Sequence, residues 1–162
     1  MSTDVRRATS DDLSGVSGVF LRCWRESYRG ILPVEAIDAM TDQRAQALWR
    51  RVLSSAEGTV LVAAQGEQIV GVTRHAIDGS HGAVHSLYVS PGAQGAGIGR
   101  MLLDAATAEL RAAGAETGLL WVFAANAPAI RFYESRGWRP DGATRVQEDF
   151  GQPEQRMRQE WT

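Results

Sequence analysis

The 162-residue chain contains no lysine; all 17 of its basic residues are arginine. That absence excludes a Walker-type phosphate lysine, a Schiff-base enzyme and a kinase's phosphate-pairing lysine. Codon usage in a GC-rich genome is its plain explanation. Cysteine is nearly absent too: Cys23 alone makes neither an internal disulfide nor a multi-cysteine zinc site, and its apolar helical spacing reads as a buried small side chain. No hydrophobic run approaches the roughly 18 residues of a membrane span, and the first residues lack the apolar stretch of a signal peptide. A soluble, cytoplasmic protein with no membrane partner is the expectation. Nor is there an excess of charge: 17 basic against 19 acidic residues give a formal net charge of −2. No global basic field, zinc spacing or basic helix points to nucleic acid. The three histidines, His75, His81 and His85, imply no metal site.

With 44% hydrophobic and 22% charged residues the chain is composed like an ordinary globular protein, and its length fits one domain over residues 1–162. Residues 5–8 read as an opening strand. Thr9 and Ser10 are N-cap residues for a helix whose apolar face is Leu13, Val16, Val19, Phe20, Cys23 and Trp24. Gly30–Pro33 is a loop, and a second helical region runs to about Leu53. Strands follow over Thr59–Ala64, Gln68–Ile77 and Ala83–Val89, with a turn at Gly66-Glu67 and a loop over Asp78–Gly82. A glycine-rich segment then enters a helix carrying Met101, Leu102, Ala105, Ala106 and Leu110, which Gly114 terminates. Gly118–Ala124 is a strand. Asn126 and Pro128 start a short helix through Arg136, and Arg156–Trp161 is expected as one edge strand. The order predicts a mixed α/β (α+β) domain with an antiparallel start and a strand–helix–strand–helix finish.

Most of the chemistry is concentrated in Leu87-Tyr88-Val89-Ser90-Pro91 and the glycine segment that follows, Gln94-Gly95-Ala96-Gly97-Ile98-Gly99-Arg100. A strand ends, glycines permit unusual backbone angles, and a helix begins whose first N–H groups have no intrahelical partner. Such a cradle at the positive helix end binds phosphate. It is no Walker loop, lacking lysine, and no Rossmann fingerprint, because the third position falls on Arg100 or Leu102.

Gln94-x-x-Gly97-x-Gly99 resembles the Gln/Arg-x-x-Gly-x-Gly/Ala signature of the GNAT superfamily of N-acetyltransferases, and Leu87–Pro91 matches that family's usual strand ending. About thirty residues on, Asn126-x-x-Ala129-x-x-Phe132-Tyr133-x-x-x-Gly137-Trp138 resembles the family's last core helix. The match is firm over residues 59–140 and softer over Trp24–Pro33, which is similar to the helix–loop–helix of many bacterial members; the last twenty residues carry almost none of it.

The resemblance implies a mixed, mainly antiparallel sheet of six to seven strands flanked by about four helices, with two parallel strands splayed around acetyl-coenzyme A. Backbone groups of Leu87 and Val89, flanking Tyr88, would pair with the pantetheine arm as an added strand does. The N–H groups from Gln94 through Gly95, Ala96, Gly97, Ile98 and Gly99 to Arg100 would hold the pyrophosphate, and Asn126 would reach the pantetheine region. Tyr133 matches the family tyrosine that protonates the departing thiolate. Many members place a glutamate base on the strand before the glycine loop; Ala83–Val89 has none, and His85 stands where arylalkylamine-type members carry a histidine. Strand alternation puts His85 on one face with Ala83, Leu87 and Val89. In the family, substrate contacts come largely from the first two helices and their loop; Trp24, Tyr28, Ile31 and Leu32 offer a substrate wall there and Glu26, Glu35 or Asp38 a cation partner, and each reads equally well as ordinary surface or core packing. The implied activity is acetyl transfer to a primary amine, on a small molecule or a protein, by direct attack. The alternative is a coenzyme A-binding sensor without efficient transfer, for which the missing strand glutamate speaks. Members often pair as homodimers.

Overall fold

The computed structural model describes residues 2–148 and 150–161. The elements run β1 (Asp4–Arg7), α1 (Leu13–Arg22), α2 (Val34–Asp38), α3 (Asp42–Ser54), β2 (Thr59–Gln65), β3 (Gln68–Asp78), β4 (His81–Val89), α4 (Ile98–Ala112), β5 (Thr117–Phe123), α5 (Ala127–Ser135), β6 (Arg139–Val146) and β7 (Pro153–Glu160). The strands form one sheet in the order β1-β2-β3-β4-β5-β7-β6, antiparallel at every step except β4–β5. This is the mixed, mainly antiparallel architecture expected, with five α-helices rather than about four.

Local chemistry fixes how the elements start. The Thr9 N–H donates to the Asp12 carboxylate at 2.8 Å, opening the first helical turn. The Arg6 guanidinium, bonded to the same carboxylate, holds it below the usual range. Val16, Val19, Phe20, Cys23 and Trp24 form the buried stripe of α1 and its continuation, packed with Trp49 of α3 against one sheet face. Ile98, Leu102, Leu103, Ala106 and Leu110 bury α4, while Tyr133 of α5 packs in the same cluster as Leu103 and Leu110.

Past Arg22 the first helix widens: the Tyr28 N–H reaches the Cys23 carbonyl at 3.1 Å, five residues back, through a π-turn over Cys23–Ser27. Such turns re-aim side chains and are frequent at functional sites.

Strands β4 and β5 pair only from His81–Thr117 to Val84–Leu120. The separation begins at a bulge. Arg74 pairs with Ser86 while His75 pairs with Val84, so His85 is an extra residue on β4. A bulge bends its strand and increases the local twist, here where β4 leaves β5. The buried Thr73 hydroxyl donates to the Ser86 carbonyl at 2.7 Å and pins the bent segment.

Two expectations need correction. Asp78–Gly82 is not a loop: β3 runs to Asp78 and β4 starts at His81, joined by a tight turn. The final strand, Pro153–Glu160, is not at the edge; it lies between β5 and β6, and the edge belongs to Arg139–Val146, which was not expected as a strand. The pair carries little apolar alternation because charged cross-strand partners stand in its place. Arg145 meets Glu154 at 2.8 Å and Arg156 meets Asp141 at 2.7 Å. Pro140 is tolerated at an edge.

Candidate functional site

The separated ends of β4 and β5 open onto two cavities that meet. The first, about 550 Å³, lies between the end of α1, the end of β4, the glycine loop and α5. The second, about 240 Å³, lies on the α1 side of β4–β5 and is walled by Trp24, Trp121, Phe123 and Phe150, with His85, Arg145 and Glu154. Six residues line both: Tyr28, Leu87, Tyr88, Asn126, Ala129 and Tyr133. All three tyrosines of the chain are among them.

The Ser90 N–H donates back to the Val70 carbonyl at 2.8 Å, so by strand alternation the Leu87 and Val89 backbone groups point away from β3 into the gap. The Val89 carbonyl already accepts from the Cys23 thiol at 3.0 Å and the Gln94 side-chain amide at 3.3 Å. An extended ligand therefore finds the Leu87 groups and the Val89 N–H. Burial pushes the Cys23 thiol up to about 11, which makes it a poor nucleophile.

Between Val89 and α4 the loop turns through Gly95 at φ +87° and Gly97 at φ +80°. Gly97 is the N-cap of α4, and its left-handed conformation turns the chain so that the first helical N–H groups start beside the cavity. Gln94, Gly95, Gly97, Ile98, Gly99 and Arg100 line the cavity; Ala96, in the same loop, does not. Backbone donors on a helix N-terminus, with no acidic side chain among the lining residues, suit a phosphate group.

Asn126 caps α5 by accepting the Ala129 N–H at 3.2 Å, and its side chain stays at the cavity wall. Tyr133, about two α5 turns further, is buried with no charged or hydrogen-bonding partner shifting it, and burial raises the phenol above its ordinary value. It therefore keeps its proton at neutral pH. Tyr28 and Tyr88 are raised for the same leading reason.

His85 lines the second cavity, not the first. The simple alternation grouping it with Ala83, Leu87 and Val89 does not carry through the bulge. Partial desolvation lowers its pKa, and the positive charges of Arg74, Arg145 and His75 act in the same direction. His75 is elsewhere, its Nε2 3.4 Å from Glu109 of α4.

Of the expected substrate wall, Tyr28 and Ile31 line the first cavity and Trp24 and Tyr28 the second, whereas Leu32 lines neither. Glu26, Glu35 and Asp38 line neither as well. The sequence reading missed Cys23, Ser27 and Phe132 in the first cavity and Trp121, Arg145, Phe150 and Glu154 in the second. The Arg145–Glu154 pair becomes visible only once β6 and β7 are recognised as a hairpin.

Comparison with known proteins agrees with this geometry. The family model described as the acetyltransferase (GNAT) family matches residues 20–138. The chain belongs to this family. An uncharacterized N-acetyltransferase of Archaeoglobus fulgidus is 32% identical over 145 residues, covering 84% of this chain and 92% of that protein. A probable N-acetyltransferase of Mycobacterium tuberculosis is 28% identical over 145 residues, covering 86% and 82%. The GNAT fold is matched by the PaiA N-acetyltransferase of Thermoplasma acidophilum, solved in complex with coenzyme A, at TM-score 0.82 and 21% identity over 99% of this chain and 100% of that one. The protein is an acetyl-transferring acyltransferase of the GNAT family.

Proposed function

We propose that residues 1–162 form one acetyltransferase domain that moves an acetyl group from acetyl-coenzyme A to the primary amine of an acceptor by direct attack. The observation that carries this is the junction of the two cavities, where a buried, protonated Tyr133 lies between a backbone-lined cleft and an aromatic chamber. In this reading the Leu87 backbone, the Val89 N–H and Asn126 hold the pantetheine arm. The N–H groups of residues 94–100 hold the pyrophosphate. The acceptor occupies the second cavity.

A neutral amine nitrogen bonds to the thioester carbonyl carbon, and the C–S bond breaks with its electron pair on sulfur. Tyr133 supplies the sulfur with a proton and is reprotonated from solvent, while the amine's proton passes to His85 or through it to water. No covalent acetyl-enzyme is needed, and the raised thiol of Cys23 does not favour one.

His85 sets the expected pH dependence. A base works only when unprotonated, so turnover persists above the His85 pKa and falls as the pH drops through it. That pKa lies below the ordinary 6.5, so the acid limb of kcat falls below pH 6.5. His85→Gln should remove the limb and lower kcat by about 100-fold. A limb unchanged in position and depth in the variant would assign the base elsewhere.

The cofactor half is tested by thermal melting with coenzyme A and acetyl-coenzyme A, with NADH as control. Stabilisation should grow with ligand as RT ln(1 + [L]/Kd) for both coenzyme A species only. Gly97→Ala, which forces a β-carbon into a left-handed conformation at a cost of about 1–2 kcal/mol, should blunt that rise. No rise at millimolar ligand sinks the reading; a rise without thiol release across a broad amine panel converts it to a coenzyme A sensor.

A further inference from the structure

Among the described residues that line the second cavity, Arg145 is the arginine. Arg145 on β6 stands directly opposite Glu154 on β7, and its Nε donates to Glu154 Oε1 at 2.8 Å. The two are unequally exposed: the Glu154 side chain is 10% accessible and that of Arg145 49%. The guanidinium carbon also sits 4.3 Å from the centroid of the Trp121 ring, which the plane can stack on. The Nη1 and Nη2 groups of Arg145 make no hydrogen bond to any described residue. A buried carboxylate and an indole thus fix the guanidinium in place, leaving its donor fork unused.

That arrangement is a preformed receptor for a planar anion. An arginine fork matches a carboxylate with two parallel N–H···O bonds, and a fork already held loses little freedom when it binds. More of the chamber's exposed lining is polar than apolar, but Trp24, Phe123 and Phe150 give it an aromatic wall. Tyr133 and His85 line the same cavity. At about 240 Å³ the space is near the small end of ligand cavities, a volume for a small molecule.

We propose that the acceptor is an amine that also bears a carboxylate, an amino acid or a close relative with an apolar side chain, and that Arg145 is the residue that selects it. The carboxylate bonds the free Nη edge of Arg145, the side chain packs on the aromatic wall, and the amine is left for the thioester. Arg145 acts in specificity and Glu154 positions it. This deepens the acetyltransferase reading and rests on it.

The test uses matched pairs that differ only by the carboxylate: phenylalanine with phenethylamine, and leucine with 3-methylbutylamine. Thiol release is followed at saturating acetyl-coenzyme A. The amino acid should show kcat/KM at least about 10-fold above its decarboxylated partner. Arg145→Gln should bring that ratio close to one, chiefly through the KM of the amino acid, and Arg145→Lys should restore part of it. Melting with and without coenzyme A confirms that each variant is folded and keeps the cofactor half. A wild-type ratio near one, or a ratio that Arg145→Gln leaves intact, overturns the proposal. So does an absence of thiol release from all four amines while coenzyme A still stabilises the protein. If coenzyme A does not stabilise it, the acetyltransferase reading itself has failed and takes this proposal with it.

Discussion

Tyr133→Phe is expected to lower kcat by about 100-fold while leaving the coenzyme A-induced rise in melting temperature unchanged. The substitution removes one oxygen from a buried phenol that no hydrogen bond or charge partner shifts, so little folding energy goes with it. In the proposed mechanism the phenol's proton goes to the departing thiolate, and burial keeps that proton on oxygen at the working pH. The effect should be larger with acetyl-coenzyme A than with an acetyl thioester of a more acidic thiol, which leaves without protonation. Equal losses for both donors, or no loss at all, would assign the leaving-group proton to Tyr28, Tyr88 or water.

Trp138→Ala should be the most destabilising of these changes, costing about 3–5 kcal/mol in urea unfolding. The ring is 1% exposed, lies edge-on to Trp161 at 6.2 Å between centroids, and neighbours Tyr133 at 6.4 Å. Its backbone N–H also closes α5 by donating to the Tyr133 carbonyl at 3.0 Å. Gly118 of β5 shows how tightly the site is filled. A β-carbon there would sit 2.5 Å from Trp161 and 2.7 Å from Trp138. Trp138→Ala opens a void beneath the helix that carries Tyr133, so kcat should fall along with stability. An unfolding free energy within about 1 kcal/mol of wild type would mean that the neighbours collapse into the space.

The readable parts of the sequence were those where backbone chemistry leaves a residue signature. Gln94, Gly95, Gly97 and Gly99 marked the loop into α4, and Asn126 with Pro128 marked the start of α5. Val16, Val19, Phe20, Cys23 and Trp24 kept the helical spacing because that stripe is buried. The β6–β7 hairpin was hidden, since its cross-strand partners are Arg145–Glu154 and Arg156–Asp141 and its one fully buried hydrophobic residue is Met157. With it went four residues of the second cavity's lining, Arg145, Gln147, Phe150 and Glu154. The bulge at His85 was equally invisible, because an unpaired residue in a strand changes which side chains share a face without changing composition. The π-turn that brings Tyr28 over the junction has no sequence signature of its own, and Tyr28 was legible only as one aromatic among several.

The four-residue β4–β5 ladder has a mechanical meaning. The sheet is two antiparallel halves, β1–β4 and β5–β7–β6, joined along a seam that closes at one end and stands open at the other. An extended molecule entering the open end displaces no strand and breaks no ladder bond; it adds rungs where the protein left them out. Such a guest is gained as a structural member as well as a ligand. Its grip should appear as slowed amide exchange on both sides of the seam, at Leu87 and Val89 and at Trp121 to Phe123, with the outer strands β1 and β2 little changed.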